Sequence, residues 1–376
     1  MTLVGTPGAV SGTAGPNAGI EISGGGYVQT NGGSISITGN SGAAGLTGVL
    51  LQSSGSTVNS SGGNITFTTD SYSGDTSATV NAGAGNVTIQ NNSSTTTVNV
   101  GGTGTDALTG TLGLDVSSAE LAKITAAKIV VGRRDATGSG GVTVSALNMG
   151  AMGNIGGDLT VLSTGNIAVN DSITKTAGTD ATLNLLANNN ITVATNKTIT
   201  GSTGKLNVLL NSDSDASSAG SIVFNSGSGV TSNGGNITLG GGSALDGSGT
   251  AVGESVSSYA GISLATAALA AGGGNIAITG TTYRNAATNT SNVHGILITN
   301  GSINTTGAGT IALKGYSTTI TDTLSKAIQI SGVTITGGST GTVSLIGDSS
   351  SPRYWRHRGQ SHCHHSPSPQ YFRPAM

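Results

Sequence analysis

One short unit recurs along nearly the whole chain: a corner of Gly and Asn, then an apolar, polar, apolar triplet. Residues 230–242, VTSNGGNITLGGG, show it in full. Asn233, Gly234, Gly235 and Asn236 form the corner, and Ile237, Thr238 and Leu239 form the strand. Strict alternation places Ile237 and Leu239 on one face and Thr238 on the other, the pattern of a strand half buried on a narrow core. The unit returns as Asn64-Ile65-Thr66-Phe67, Asn86-Val87-Thr88-Ile89, Asn166-Ile167-Ala168-Val169 and Asn275-Ile276-Ala277-Ile278. Looser copies lie between, at residues 33–37, 141–144, 157–161, 190–193, 204–208, 220–224, 309–313 and 341–345. A single triplet offers two inward side chains, too little apolar area to offset the entropy of ordering it. Successive copies must therefore stack, coil on coil, and share one core. The predicted object is an all-β solenoid of parallel strands. Its predicted inward residues are Ile65, Phe67, Val87, Ile89, Val142, Val144, Ile237, Leu239, Ile276 and Ile278.

Composition supports a long, thin core. A chain of 376 residues ordinarily makes two or three globular domains, but 64 Gly against 3 Phe, 1 Trp and 7 Tyr leave few bulky side chains for wide cores. Charged residues are only 8 % and the net charge is −2. No basic field is present to hold nucleic acid or an anionic membrane surface, so neither is expected as a partner. The surface is expected to be Ser, Thr and Asn, polar and uncharged, which suits work outside a cell. The single Cys excludes an internal disulfide framework. No apolar run is long enough to span a membrane as a helix. The first 26 residues lack the basic and apolar regions of a secretory signal, so the chain is expected to stay inside or to be a fragment.

In chain order, residues 1–26 read as a loosely ordered Gly-rich edge, 27–350 as the repeat shaft, and 351–376 as an atypical tail. Between residues 98 and 140 the rhythm changes. Ser117-Ser118-Ala119-Glu120 has capping-box spacing, with Leu121 and Ile124 at helical spacing, which predicts one helical turn. Lys128 to Arg134 resumes a strand. Longer gaps at residues 240–261 and 279–294 predict loops pushed out from a coil edge, the usual place for recognition in a solenoid.

The tail holds four of the five His, the only Cys and Trp, and no strand triplet. It reads as out-of-frame translation. A metal site of His362, Cys363, His364 and His365 is the competing reading. Four neighbours on an irregular segment do not face one ion, so no metal ligand is assigned. Pro352, Pro367, Pro369 and Pro374 remove backbone donors, and the tail is expected to be dispensable for the fold.

The remaining motifs carry little chemistry. Residues 101–109, GGTGTDALT, match the nonapeptide of calcium-binding β-rolls once, without the second stacked copy that completes such a site. The Asn-Ile-Thr triplets are formal glycosylation sequons, each explained first by a turn Asn entering a strand. A β-helical polysaccharide lyase or hydrolase needs carboxylates clustered on one face, with Lys or Arg near. The nearest pair here, Asp213 and Asp215, reads as solvated turn aspartates. His294 reads as a loop or coil-edge histidine and Arg284 as a surface arginine. No catalytic residue, cofactor or metal is assigned.

Three longer blocks, residues 117–132 (SSAELAKITAAKIVVG), 204–242 and 294–315 (HGILITNGSINTTGAGTIALKG), together with the triplets after GGN, carry a resemblance. In this order, across residues 27–347, they are similar to large bacterial exoproteins of the filamentous haemagglutinin type. The resemblance implies a right-handed parallel β-helix, the shaft of a secreted cell-surface adhesin. It also implies export by two-partner secretion through an outer-membrane partner, and host-cell or matrix ligands, glycans among them. It implies no catalytic residue. The family's secretion domain carries an Asn-Pro-Asn motif, and Pro16-Asn17 is the only Pro-Asn here. The expectation is a repeat-shaft fragment with a structural and adhesive function. A carbohydrate-binding or polysaccharide-cleaving β-helix is the alternative, and a metal-binding module stands behind both.

Overall fold

The computed structural model describes residues 1–6, 18–41, 46–74, 77–103, 113–135, 137–138, 140–153, 157–254, 260–282, 294–317 and 325–349. Within these, every strand pairing is parallel, and the chain is a parallel β-helix. One face is a continuous sheet running from Thr2–Gly5 through Ile65–Thr69, Ala181–Ala187 and Ile237–Gly241 to Val343–Asp348. The other two faces are each built from two successive sheets, one in the early coils and one in the later coils. With one exception after residue 98, a coil visits the three faces in turn and a strand pairs with those one coil before and after it, the solution that a two-residue inward face requires.

Register turns the triplets into columns. On the long face Ile35, Ile65, Val87, Ile129, Leu159, Leu183, Val208, Ile237, Ile276 and Ile311 stack in one line. Ile37, Phe67, Ile89, Val131, Val161, Leu185, Leu210, Leu239, Ile278 and Leu313 stack beside them, all without exposure. All ten predicted inward residues are buried. In the early coils the rings of Phe67 and Tyr72 meet within the core at 5.4 Å between centroids, tilted by 58°.

The corner residues bond one coil to the next. The side-chain oxygen of Asn207 accepts the backbone N–H of Asn236 at 2.9 Å, Asn236 accepts that of Asn275, and Asn275 accepts that of Thr310, each at 2.9 Å. Asn64 does the same for Asn86, and Asp158 for Thr182. Glycines form a second ladder beside this one. Gly235, Gly274, Gly309 and Gly341 stack so closely that a Cβ on Gly274 would run into the Gly235 carbonyl, and one on Gly341 into that of Gly309.

A third corner column carries buried polar groups between buried alanines. Ser60 and Ser232 donate their hydroxyls to the carbonyls of Gly63 and Gly235, three residues on. At the matching corner Lys175, only 2 % exposed, sends its Nζ to the carbonyls of Gly178 and, in the next coil, Thr203. Gly201 is its register partner in the next coil, and a Cβ on nearby Gly204 would come within 3.0 Å of the Lys175 Nζ. Burial lowers the Lys175 pKa from the ordinary lysine value, with Asp180 acting in the opposite sense.

Three features refine the sequence reading. Paired strands begin ahead of Tyr27: Thr2–Gly5 pairs with Ile35–Gly39, and Ala18–Ile22 with Thr47–Leu51. The irregular stretch after residue 98 is a reversal of stacking order. Gly113–Val116 pairs with Thr97–Val100 on the side away from Gly141–Val144, so the later strand lies earlier in the stack. The expected turn follows as the helix Ser118–Leu121, with a capping box in which Glu120 accepts the Ser117 N–H at 2.8 Å. A three-residue 3-10 turn, Met149–Ala151, is the other helical element among the described residues.

The excursion at residues 240–261 is not simply pushed outward. Ala251–Val252 returns to pair with Gly280 and Thr281, and Val252 bridges to Gly220. Ala251 and Val252 are buried, which is why the segment turns back to the stack. Residues 283–293 of the second gap lie outside the described residues, as do Arg284 and the tail with His362, Cys363, His364 and His365.

Candidate functional site

The outward positions of the described strands form columns of stacked side chains. On the long face Ser36, Thr66, Thr88, Thr160, Asn184, Thr238 and Ser344 share one outward column with the apolar Val130, Leu209, Ala277 and Ala312. Neighbouring rungs are tied by polar side chains: Gln90 Nε2 donates to Thr68 Oγ1 at 3.0 Å, and Asn184 Nδ2 to Thr160 Oγ1 at 3.1 Å. Thr57 and Thr79 Oγ1 lie 3.1 Å apart on a second face, and Asn59 Nδ2 donates to the Tyr27 hydroxyl at 3.1 Å. These side chains alternate with the buried ones because the strand period is two.

A groove of about 410 Å³ crosses this surface. Ser94, Thr95 and Thr97 form one wall, Gly141 and Thr143 the floor, and Asn166 and Ala168 the far side. Register explains its depth, since Gly141 and Ala168 occupy outward positions with little or no side chain. The lining carries hydroxyls and an amide and no ionisable side chain. This lining offers hydrogen-bond donors and acceptors and carries no side chain that could act as acid or base.

Several carboxylates are hydrogen-bonded within turns or from coil to coil. Asp70 accepts the N–H groups of Asn92 and Ser93 in the next coil at 2.8 and 2.7 Å. Asp180 accepts from Lys205 N, Asp115 from Asn99 Nδ2, Glu254 from Asn190 Nδ2 and Glu21 from Gln52 Nε2. Glu120 caps its helix and accepts the Gly74 N–H at 2.7 Å. Asp171 pairs with Lys197 at 2.8 Å, a hydrogen bond that lowers its pKa. The Arg133 guanidinium hydrogen-bonds to Asp135 and holds that carboxyl down at about 2. Among the described residues no three of His, Cys, Asp and Glu gather to hold a metal ion. The calcium-type nonapeptide is described only at Gly101, Gly102 and Thr103, and its remainder lies outside the described residues.

Asp213 corrects the expectation of solvated turn aspartates. Asp215 is exposed, but Asp213 is only 5 % exposed. Its Oδ1 accepts from Ser217 Oγ, Ser218 N and Ala219 N at 3.2, 3.0 and 3.3 Å. Burial raises its pKa from the ordinary carboxylate value, against the opposing pull of these hydrogen bonds. Arg134, distant in sequence, crosses coils to dock the same loop, donating to the Ser214 carbonyl at 2.6 Å and to Asn188 Oδ1 at 3.3 Å. Sequence proximity could not show this approach. His294 lies at a coil edge but is buried, its Nδ1 accepting the Lys326 N–H at 3.1 Å and its carbonyl the Gly261 N–H at 3.1 Å. Both groups join coils.

No family model, no curated protein and no solved structure matches the chain.

Proposed function

We propose that the chain is a structural and adhesive shaft segment of a secreted bacterial surface exoprotein of the filamentous haemagglutinin type, with no chemistry of its own. On this reading the longer protein is exported through an outer-membrane secretion partner and works at the cell surface. Its ligands are host-cell or matrix molecules. The observation that carries the reading is the use made of polar side chains: the named carboxylates and corner amides hydrogen-bond within turns or from coil to coil, and the strands turn Ser, Thr and Asn outward. A stack held this way gains rigidity with each added coil and offers a repetitive, uncharged surface.

Carbohydrate recognition is the second reading, favoured by the uncharged, hydroxyl-lined groove at Thr97, Thr143 and Asn166. The two are separated by immobilising the purified chain and measuring capture of epithelial cells and matrix proteins, alongside binding to a panel of neutral and acidic oligosaccharides. Cell or matrix capture that persists when groove residue Thr143 is changed to Arg supports the shaft reading. Capture lost together with oligosaccharide binding supports the groove. Release of new reducing ends from a polysaccharide would overturn the claim that the chain does no chemistry.

A further inference from the structure

The reversal after residue 98 puts an extra strand into one face. On the long face Asn86–Gln90 pairs directly with Lys128–Gly132, so these two coils are one rung apart there. On the next face the first of these coils contributes two strands, Thr97–Val100 and Gly113–Val116. Thr97–Val100 lies between Gly113–Val116 and Gly141–Val144 of the following coil and pairs with both. That face therefore spans two rungs, about 9.6 Å, where the long face spans one, about 4.8 Å. On the third face, among the described residues, the same coils belong to separate sheets: Ile124–Thr125 ends one and Leu147–Asn148 begins the next. Beside this break Gly153 donates its N–H to the Leu121 carbonyl at 3.2 Å.

We propose that Thr97–Val100 is an exchangeable rung, which leaves the sheet while Gly113–Val116 closes onto Gly141–Val144. Register carries the inference. Val98 pairs with both Leu114 and Val142, Asn99 with both Asp115 and Thr143, and Val100 lies against both Val116 and Val144. With the middle strand gone, Leu114 meets Val142 and Val116 meets Val144, so both inward columns close without a slip of register or a change of face. The third face closes in the same movement. Ile124 and Leu147, both buried, come one rung apart, and they join the inward column that holds Val80 before them to the one that holds Ile173 after them. The inserted state keeps Val98 and Val100 buried, whereas the expelled state gives all three faces the same rung count. These opposed gains make a two-state element, which a ligand with unequal affinity for the two states biases. Thr97 and Val98 also line the groove at Thr143 and Asn166, so a ligand seated there favours the inserted state.

Disulfide trapping in the full chain carrying Cys363→Ser tests this. Asp115→Cys with Thr143→Cys sets two thiols at outward positions two rungs apart, with Asn99 between. Thr143→Cys with Thr192→Cys does the same across Ala168, in a regular part of the stack. A disulfide needs Cα atoms about 4.4–6.8 Å apart, which one rung allows and two rungs do not. Under mild oxidation the first pair is expected to cross-link at least about tenfold faster than the second, because only there does loss of a strand bring the thiols to one-rung spacing. In the cross-linked chain Thr97–Val100 should lose hydrogen-exchange protection while Leu147–Asn148 gains it. The unsubstituted chain gives an independent readout: amides of Thr97–Val100 should exchange at least about tenfold faster than those of Gly113–Val116 and Gly141–Val144 on either side. Equal cross-linking of the two pairs, or exchange of the three strands as one unit, would overturn the proposal.

Discussion

The Oδ1 of Asn236 accepts the backbone N–H of Asn275, 39 residues later in the chain, at 2.9 Å. Asn236 in turn donates its own N–H to Asn207 Oδ1, so one residue joins three coils. Asn236→Ala leaves the Asn275 N–H without this partner at an exposed corner, where water takes its place. The expected loss is about 1 kcal/mol. Amide exchange should quicken at Asn275, and Asn236→Asp, which keeps an acceptor oxygen, should retain most of the protection.

Gly274 tests the close stacking of corners. Its backbone does not need a positive φ, so Gly274→Ala acts through the clash with the Gly235 carbonyl alone. Backbone cannot move aside as a flexible side chain does, and the expected cost is about 1–3 kcal/mol. Gly273→Ala, where an added methyl meets open space, is the control and should change the melting temperature little.

Ile237→Asp places a carboxylate in a fully buried column between Val208 and Ile276. The expected cost is several kcal/mol. Because each coil touches its neighbours, exchange protection should collapse first in Leu206–Ser212, Ile237–Gly241 and Ile276–Thr281 and spread later. Uniform loss of protection along the chain would contradict stacking by nearest neighbours.

Asp213 gives a prediction in pH. Its folded pKa is raised, so the stability its protonated form contributes is present below the ordinary carboxylate range and is lost as pH rises through the folded value. Asp213→Asn keeps the same acceptor position for Ser217, Ser218 and Ala219 without the charge, and Asn tolerates the φ of 47° found there. The variant should therefore gain on the wild type as pH rises through and above the ordinary carboxylate range. Asp213→Ala, which removes the acceptor, should be less stable than both across that range, by chemical denaturation at each pH.

The strand triplets made the stack legible, because Ile237, Leu239 and their equivalents leave only one face to bury. The capping box at Ser117 and Glu120 was equally local and equally visible. The meaning of the corners was not. Asn236 and Gly235 read as turn formers, whereas one holds the next coil by its side chain and the other makes room for it. Neither role can be read within one repeat. Asp213 was misjudged for the same reason, since its burial, and the docking of its loop by Arg134 through Ser214, depend on which coils lie together. The reversal at Gly113–Val116 was visible only as a broken rhythm. For the groove at Thr97, Thr143 and Asn166 the sequence offered no signal beyond small outward residues at register positions not yet known.

The central claim, that the long face gains one rung per coil whatever the coil's length, is tested most directly by electron–electron distances along one outward column. Ser36, Thr88, Thr238 and Ser344 share that column and are separated from Ser36 by two, seven and ten rungs in turn. With Cys363 changed to Ser and spin labels at Ser36 and one of the others, the spacings should centre near about 10, about 34 and about 48 Å, at about 4.8 Å per rung. Distances linear in rung number would support the stacked shaft. Distances that follow the number of intervening residues, or that fail to lengthen from Thr238 to Ser344, would contradict it.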